Sequence, residues 1–173
     1  MQTNRLNGLI DRIRPNGKSW FIIKPNRAPN MTVQIKKGYL DLIAEANSVV
    51  AMIEVGQAIE KLGSEDTVFV DLRDPRELER EGKIPNAFHC PRGMLEFWID
   101  PASPYHKVIF AEDKKFVFYC ASAWRSALSA KTAQDMGLQN VSHLAGGFTA
   151  WKKAGGEISA VVPKQVNSSE QKN

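Results

Sequence analysis

The chain has 173 residues, of which 43% are hydrophobic and 24% charged, with two cysteines, three histidines and a formal net charge of +4. This length suits one domain with terminal extensions better than two domains. No apolar run approaches the roughly 20 residues that span a bilayer, and no secretory hydrophobic segment is recognisable. Because few cysteines fit a reducing compartment, we predict a cytoplasmic protein without membrane association.

Most of the positive charge lies at the amino terminus. Residues 1–37 contain eight Lys or Arg and one acid, Asp11, which leaves fifteen basic and eighteen acidic residues in 38–173. The folded part is therefore expected to be mildly acidic, which argues against nucleic-acid binding. We interpret 1–37 as a basic N-terminal extension that need not be ordered. A mitochondrial presequence and a translation start at Met31 are the alternatives.

Two helical patterns open the folded part. Apolar residues at helical spacing after Gly38 predict a flanking helix that ends near Asn47 and Ser48. A second helical period runs from Glu54 to Leu62 and stops at Gly63.

Short apolar runs then predict buried parallel strands at Thr67 to Leu72 and at Phe116 to Tyr119. A helix that starts at Pro75 follows the first of these strands, and Val141 to Leu144 returns as a further strand. Strands alternating with helices predict a three-layer α/β/α fold with a central, mostly parallel sheet.

In such a sheet, ligands collect beyond the C-terminal ends of the strands. Asp71, Cys90 and Cys120 each lie near such an end, so we expect the fold to bring them close together. The folded domain is predicted over 38–160, and the polar tail 161–173 is predicted to be disordered.

Cys120 is the residue whose surroundings point most clearly to chemistry. It ends a strand and is followed by Ala121, Ser122, Ala123, Trp124, Arg125 and Ser126, the last two at the head of a helical pattern. Unpaired helix amides, the helix dipole and a guanidinium all favour thiolate over thiol. Because thiolate is the nucleophilic form, we interpret Cys120 as a nucleophile rather than a buried packing residue, its ordinary alternative.

Several segments between Val68 and Glu157 resemble the rhodanese family of sulfurtransferases. They are the strand ending in Asp71-Leu72-Arg73, the acidic helix Pro75 to Gly82 with Glu77, Gly82 to Ala87, Phe88 to Gly93, the loop after Cys120, and Leu144 to Trp151 with its Gly-Gly-x-x-x-Trp pattern. Both their order and their spacing agree with the family. The resemblance implies a rhodanese-like domain over 38–160.

The length of the loop separates two chemistries within this resemblance. Relatives that hydrolyse phosphate esters carry five residues between Cys and Arg, whereas sulfurtransferases carry four. This chain has four, Ala121 to Trp124. A terminal persulfide sulfur needs a smaller cradle than a tetrahedral phosphate, so sulfur transfer is the leading interpretation and phosphatase activity a distant one.

The resemblance implies that a sulfane sulfur moves from thiosulfate or a persulfide donor to cyanide or a thiol acceptor through a Cys120 persulfide. A persulfide carrier or interaction module that serves a specific protein partner, with little small-molecule turnover, is the alternative. Neither function calls for a cofactor, and the scattered histidines and cysteines have no metal-ligand spacing.

The resemblance also assigns roles to the residues around the nucleophile. Backbone amides of the loop are expected to stabilise thiolate and persulfide. The residues expected to bind substrate are Arg125, Ala121, Ser122, Ala123, Trp124, Ser126 and Arg92. Asp71, Arg73 and Glu77 are expected to support the loop, the first two through hydrogen bonds between the strand and the loop.

Two departures from the family pattern change these expectations. Ala121 stands where relatives that prefer thiosulfate have a basic residue, so affinity for this dianion should be weaker unless Arg92 or Arg125 compensates. Ala123 stands where glycine is common, and alanine disfavours positive φ, so the loop is expected to avoid that conformation. Cys90 is interpreted as a packing residue, with resolution of an oxidised or persulfidated Cys120 as the alternative.

Overall fold

The structure is a computed structural model that describes residues 34–162 and the short segments 5–6 and 9–10. Most of the basic extension, and residues 163–173 of the predicted tail, lie outside the described residues. The chain divides into two compact units, Met1–Lys36 and Lys37–Asn173. In the first unit, Arg5–Leu6 (β1) pairs antiparallel with Leu9–Ile10 (β2).

The second unit is built on a five-stranded sheet in which every neighbouring pair is parallel. Its strands are Ala51–Ile53 (β3), Thr67–Asp71 (β4), Phe88–His89 (β5), Lys115–Tyr119 (β6) and Val141–Leu144 (β7). Their order across the sheet is β3-β7-β6-β4-β5. The apolar runs predicted as strands form β4 and β6, near the middle of the sheet, where both faces of a strand are buried.

Helices cover both faces of this sheet. They are Tyr39–Val49 (α1), Val55–Glu60 (α2), Pro75–Glu81 (α3), Leu95–Ile99 (α4), Trp124–Asp135 (α5) and Gly147–Lys153 (α6), with 3-10 turns at Arg92–Met94 and Val108–Ala111. Residues of α4 and α5 pack into the apolar core on one face, and residues of α2 and α6 into the core on the other. The predicted three-layer α/β/α fold is confirmed.

One strand of the five-stranded sheet was not predicted from the sequence. The first helix continues to Val49, past its predicted end at Asn47 and Ser48, and Ala51–Ile53 then forms the edge strand β3 beside β7. Three residues are too short to show a period of two, so the pattern contained no signal for this strand. No helix among the described residues is both long and apolar enough to cross a bilayer.

The strand register brings the chemically interesting residues to one edge of the sheet. Asp71 lies opposite Tyr119 on one side and His89 on the other. The next residues along β6, β4 and β5 are Cys120, Leu72 and Cys90, which all enter the same apolar core cluster. The C-terminal edge of the sheet therefore holds both cysteines, with β4 between the strands that they follow.

Candidate active site

Cys120 lies directly after β6, the strand paired on both sides by β4 and β7. It is only 1% exposed and belongs to an apolar cluster that also contains Leu72 and Leu95. Its Sγ lies 3.7 Å from Ser126 Oγ, a distance that suits a hydrogen bond from the thiol. Because the sulfur is shielded from solvent, a reacting atom has to enter past the side chains of the loop.

The first turn of α6 holds the start of the loop. The Phe148 N–H donates to Cys120 O at 2.7 Å, and the Thr149 N–H donates to Ala121 O at 3.0 Å. In a trans peptide the N–H points opposite to the C=O. The N–H groups of Ala121 and Ser122 are therefore turned away from α6.

Six consecutive amides, those of residues 121–126, have no acceptor within the part of the chain that the structure describes. They lead into α5, whose amino terminus carries the positive end of the helix dipole. Runs of adjacent amides of this kind bind anions and stabilise negative charge on a reacting atom. The loop can therefore hold a thiolate, a persulfide or the anionic end of a donor.

Ala123 corrects one expectation. It has φ 69° and caps α5 from the left-handed region, which the sequence analysis expected an alanine to avoid. For a residue with a Cβ this conformation costs about 1–2 kcal/mol. Two contacts from the next turn of α5 hold it there, since Ala127 N–H and the Ser126 hydroxyl both donate to Ala123 O, at 2.9 and 3.0 Å.

Arg125 is clamped by a carboxylate from another helix. Its Nη1 and Nη2 donate to the two oxygens of Glu77 at 2.7 and 2.8 Å. The same carboxylate accepts the Asp74 N–H at 3.0 Å in the capping box that begins α3. The bond to Glu77, and after it the charge of Cys120, raise the pKa of Arg125. The pair thus joins the end of β4 and α3 to the loop.

The Glu77–Arg125 pair predicts how stability depends on pH. The hydrogen bond that Arg125 donates to Glu77 lowers the pKa of this carboxyl from 4.5 to about 2. A carboxyl with a depressed folded-state pKa stabilises the protein above its unfolded pKa and loses this contribution as pH falls from 4.5 toward about 2. The pair is partly exposed, so we expect about 1–2 kcal/mol to be lost.

Urea unfolding of the wild type and of Glu77→Gln at pH 7, 4 and 2.5 measures this contribution. The wild type should be the more stable of the two at pH 7, and the difference should shrink at pH 2.5. A difference that does not change with pH would contradict the assignment.

Arg92, expected to bind substrate, also faces a carboxylate. Its Nη1 donates to both oxygens of Glu96, at 2.9 and 3.0 Å. The charges of this pair act on the Cys90 thiol. Among residues 34–162, no hydrogen bond or ion pair joins Arg92 to the loop.

Asp71 and Arg73 form a wholly buried pair rather than hydrogen bonds to the loop. Arg73 Nε and Nη2 donate to Asp71 at 2.9 and 2.7 Å, and Nη2 also donates to Gly82 O at 2.8 Å. The guanidinium carbon lies 4.0 Å from the centre of the Phe148 ring. Support for the loop thus passes through Phe148, whose N–H binds Cys120 O, and the expected direct hydrogen bond is not among those within residues 34–162.

Trp124 begins α5 at the outer side of the loop. Its side chain is half exposed, and its ring packs against Tyr39 of α1 at a centroid distance of 5.4 Å. Tyr39 is exposed to a similar degree. This aromatic pair forms an apolar rim four residues after Cys120.

The surroundings of Cys90 disfavour its thiolate form. It is fully buried, and burial raises the pKa of its thiol to about 12. Since β4 separates β5 from β6, the two cysteines lie about two strand spacings apart, or roughly 10 Å. Disulfides need Cα atoms within about 7 Å, so a bond between Cys90 and Cys120 would require movement of the backbone.

We therefore predict that Cys90→Ala gives the same products as the wild type after mild peroxide treatment, as measured by intact mass. A disulfide that forms in the wild type and is lost in the variant would revive the resolving role of Cys90.

Sequence reasoning missed three groups at this site. Gly147, Phe148 and Thr149 were recognised within a motif, but their contacts with the loop were not predicted. Tyr39, which packs on Trp124, gave no signal in the sequence. Tyr119 was identified as part of a strand, whereas its hydroxyl accepts the Ile84 N–H at 3.2 Å and burial raises its pKa.

Comparison with known proteins defines the class. Residues 54–154 match the family described as Rhodanese-like domain, and the chain belongs to this family. A sulfurtransferase from Allochromatium vinosum is 31% identical over 97 residues, which are 56% of this chain and 82% of that protein. The mouse thiosulfate sulfurtransferase/rhodanese-like domain-containing protein 3 is 28% identical over 95 residues, covering 52% of this chain and only 60% of the mouse protein.

One solved structure is considerably more similar. It is a protein of unknown function from Rhodopseudomonas palustris CGA009, described as a possible tyrosine phosphatase. It shares 60% sequence identity, with a TM-score of 0.72, over 75% of this chain and 99% of that chain. The predicted membership of the rhodanese family is confirmed. The relatives are described with two different chemistries, sulfur transfer and phosphate-ester hydrolysis.

Proposed function

We propose that this protein is a sulfurtransferase that moves a sulfane sulfur from thiosulfate or a persulfide donor to cyanide or a thiol acceptor through a persulfide on Cys120. The observation that carries the proposal is the run of six amides without acceptors that follows Cys120 and ends beside the clamped Arg125. Relatives named sulfurtransferases support it. Two free cysteines suit the reducing, cytoplasmic setting that we also propose.

The reaction has two steps. The Cys120 thiolate attacks the outer sulfur of the donor, the donor's S–S bond breaks, and sulfite or a thiolate leaves with the bonding electron pair. An acceptor thiolate or cyanide then attacks the outer sulfur of the Cys120 persulfide and releases the Cys120 thiolate. The loop amides hold the negative charge in each state, and the Ser126 hydroxyl can accept from the thiol or donate to the thiolate.

Intact-mass analysis after incubation with thiosulfate or with glutathione persulfide tests the proposal. The wild type should gain one sulfur atom, and Cys120→Ser should gain none. Cys90→Ala is the matched control and should load like the wild type. Sulfur on Cys120→Ser, or an unmodified wild type with both donors, would contradict the proposal.

The alternative is a persulfide carrier for a specific protein acceptor, which differs in turnover rather than in loading. A carrier would form a stable Cys120 persulfide and show negligible transfer from either donor, thiosulfate or glutathione persulfide, to cyanide or a small thiol. Steady-state turnover with a low KM supports the enzyme instead.

A second candidate is phosphate-ester hydrolysis, which the description of the similar Rhodopseudomonas palustris protein favours. The length of the loop weighs against it, because four residues separate Cys120 from Arg125 whereas the hydrolytic relatives carry five. Hydrolysis of an aryl phosphate that is lost in Cys120→Ser would favour this candidate over sulfur transfer.

A further inference from the structure

The arginines around the active loop are all matched by carboxylates. Both terminal nitrogens of Arg125 donate to Glu77, and Nη1 of Arg92 donates to both oxygens of Glu96. These two arginines are the candidates to replace the basic residue that is missing at Ala121. The structure shows each of them already paired, so neither guanidinium contributes an unbalanced positive charge.

The loop itself adds no further cation. Between Cys120 and the middle of α5, Arg125 is the one charged residue, and the next, Lys131, pairs with Asp135 at 2.7 Å near the far end of the helix. What remains to hold negative charge is the run of amides 121–126 and the helix dipole, which amounts to roughly half an elementary charge.

The two donor classes place different charges in this site. With thiosulfate, the Cys120 thiolate and the dianion meet with three negative charges, and the Cys120 persulfide anion and sulfite dianion share three after transfer. With a protonated persulfide R–S–SH, the thiolate brings one negative charge, the S–S bond breaks, and R–S⁻ leaves Cys120–S–SH behind. Like charges at close range in a partly desolvated site repel strongly.

The rim favours the same class of donor. Trp124 and Tyr39 are 51% and 57% exposed and lie in contact with each other beside the loop. Aromatic faces contribute contact area to an organic group, and a small hydrated anion gains little from them. A donor with an organic R group can use this rim, whereas thiosulfate cannot.

We infer that the site selects an organic persulfide over thiosulfate as its sulfur donor. This inference rests on the proposed sulfurtransferase function and narrows its donor to one chemical class. It predicts that Cys120 is loaded fastest by a donor that has little charge at its reacting sulfur and carries an organic R group instead of a second anionic group.

Loading kinetics followed by intact mass test the inference, with glutathione persulfide and thiosulfate as probes. In the wild type, the second-order rate constant of loading by the persulfide should exceed that of loading by thiosulfate by at least about 100-fold. Because the persulfide is also intrinsically more reactive, the ratio of the two values is compared between variants. Glu77→Gln and Ala121→Lys each add net positive charge at the loop and should raise the ratio of thiosulfate loading to persulfide loading about tenfold.

Asp135→Asn is the matched control, since it changes the net charge like Glu77→Gln but at the far end of α5. Its donor ratio should equal that of the wild type. Ala121→Lys leaves the Glu77 clamp in place, so it tests the charge argument even where Glu77→Gln disturbs the loop. Trp124→Ala should lower the ratio of persulfide loading to thiosulfate loading.

The outcomes separate the inference from the function on which it rests. Equal loading by both donors in the wild type, or a ratio that neither Glu77→Gln nor Ala121→Lys changes, overturns the donor preference and leaves the sulfurtransferase in place. Failure of both donors to load Cys120 overturns the proposed function itself.

Discussion

Replacing Gly147 with alanine is expected to lower kcat for sulfur transfer on the order of 100-fold, the effect of losing one well-placed amide donor. Gly147 has φ 61°, and a Cβ on it would lie 2.5 Å from Cys120 O and 2.8 Å from Ala121 O. The substitution must therefore push apart the loop and the first turn of α6. The carbonyls of Cys120 and Ala121 then no longer accept hydrogen bonds from the N–H groups of Phe148 and Thr149. As a result, the N–H groups on the other side of these two peptides, those of Ala121 and Ser122, are no longer held in a fixed direction.

Gly146→Ala provides the matched control for this experiment. Gly146 has φ 63°, and its added Cβ would lie 2.6 Å from the Ala150 Cβ, inside α6 and away from the loop. Both variants should therefore be destabilised in thermal unfolding. Only Gly147→Ala should lose activity far beyond its loss of stability, mainly in kcat rather than KM. Equal losses of kcat in the two variants would show that Gly147 acts on stability alone.

The second large effect concerns the buried pair beneath the site. Arg73→Met is expected to lower the free energy of unfolding by about 3–5 kcal/mol, because Asp71 is left as an unpaired charge in the interior. Both side chains are 0% exposed, and Asp71 receives its charged hydrogen bonds from Arg73. Replacing both Asp71 and Arg73 with apolar residues removes the ion pair without leaving an unpaired carboxylate in the interior.

The double variant Asp71→Leu/Arg73→Met should therefore recover much of the stability lost in Arg73→Met. Urea unfolding at neutral pH measures the wild type, the two single variants Arg73→Met and Asp71→Leu, and the double variant. Losses that simply add in the double variant would contradict the account of an isolated charge, since uncoupled side chains contribute independently.

The sequence predicted those features whose cause lies within a short stretch of chain. The continuous apolar run from Phe116 to Tyr119 predicted a strand that is buried on both faces. The helical pattern after Cys120 predicted backbone amides without intrahelical acceptors next to the thiol. The edge strand Ala51–Ile53 was missed because three residues beside a partner strand carry no period of their own. Its existence depends on β7, which is far away in sequence.

The charge balance of the site was also beyond sequence reasoning. Arg125 and Glu77 are 48 residues apart, and their pairing depends on where the sheet places α3 relative to α5. The left-handed conformation of Ala123 went against its local preference because bonds to its carbonyl from the next turn of α5 impose it. Residue types predicted the chemistry, while tertiary contacts determined which charges remain available to a substrate.

The most direct test of the central claim is transfer from the isolated, loaded protein. Wild-type protein carrying one extra sulfur on Cys120 is freed of donor, mixed with cyanide or a thiol, and followed by intact mass together with product. One sulfur should leave the protein for each thiocyanate or persulfide that forms, and the unmodified mass should return. Product that forms only while donor and acceptor are both present, with the loaded mass unchanged, would contradict a Cys120 persulfide as the intermediate.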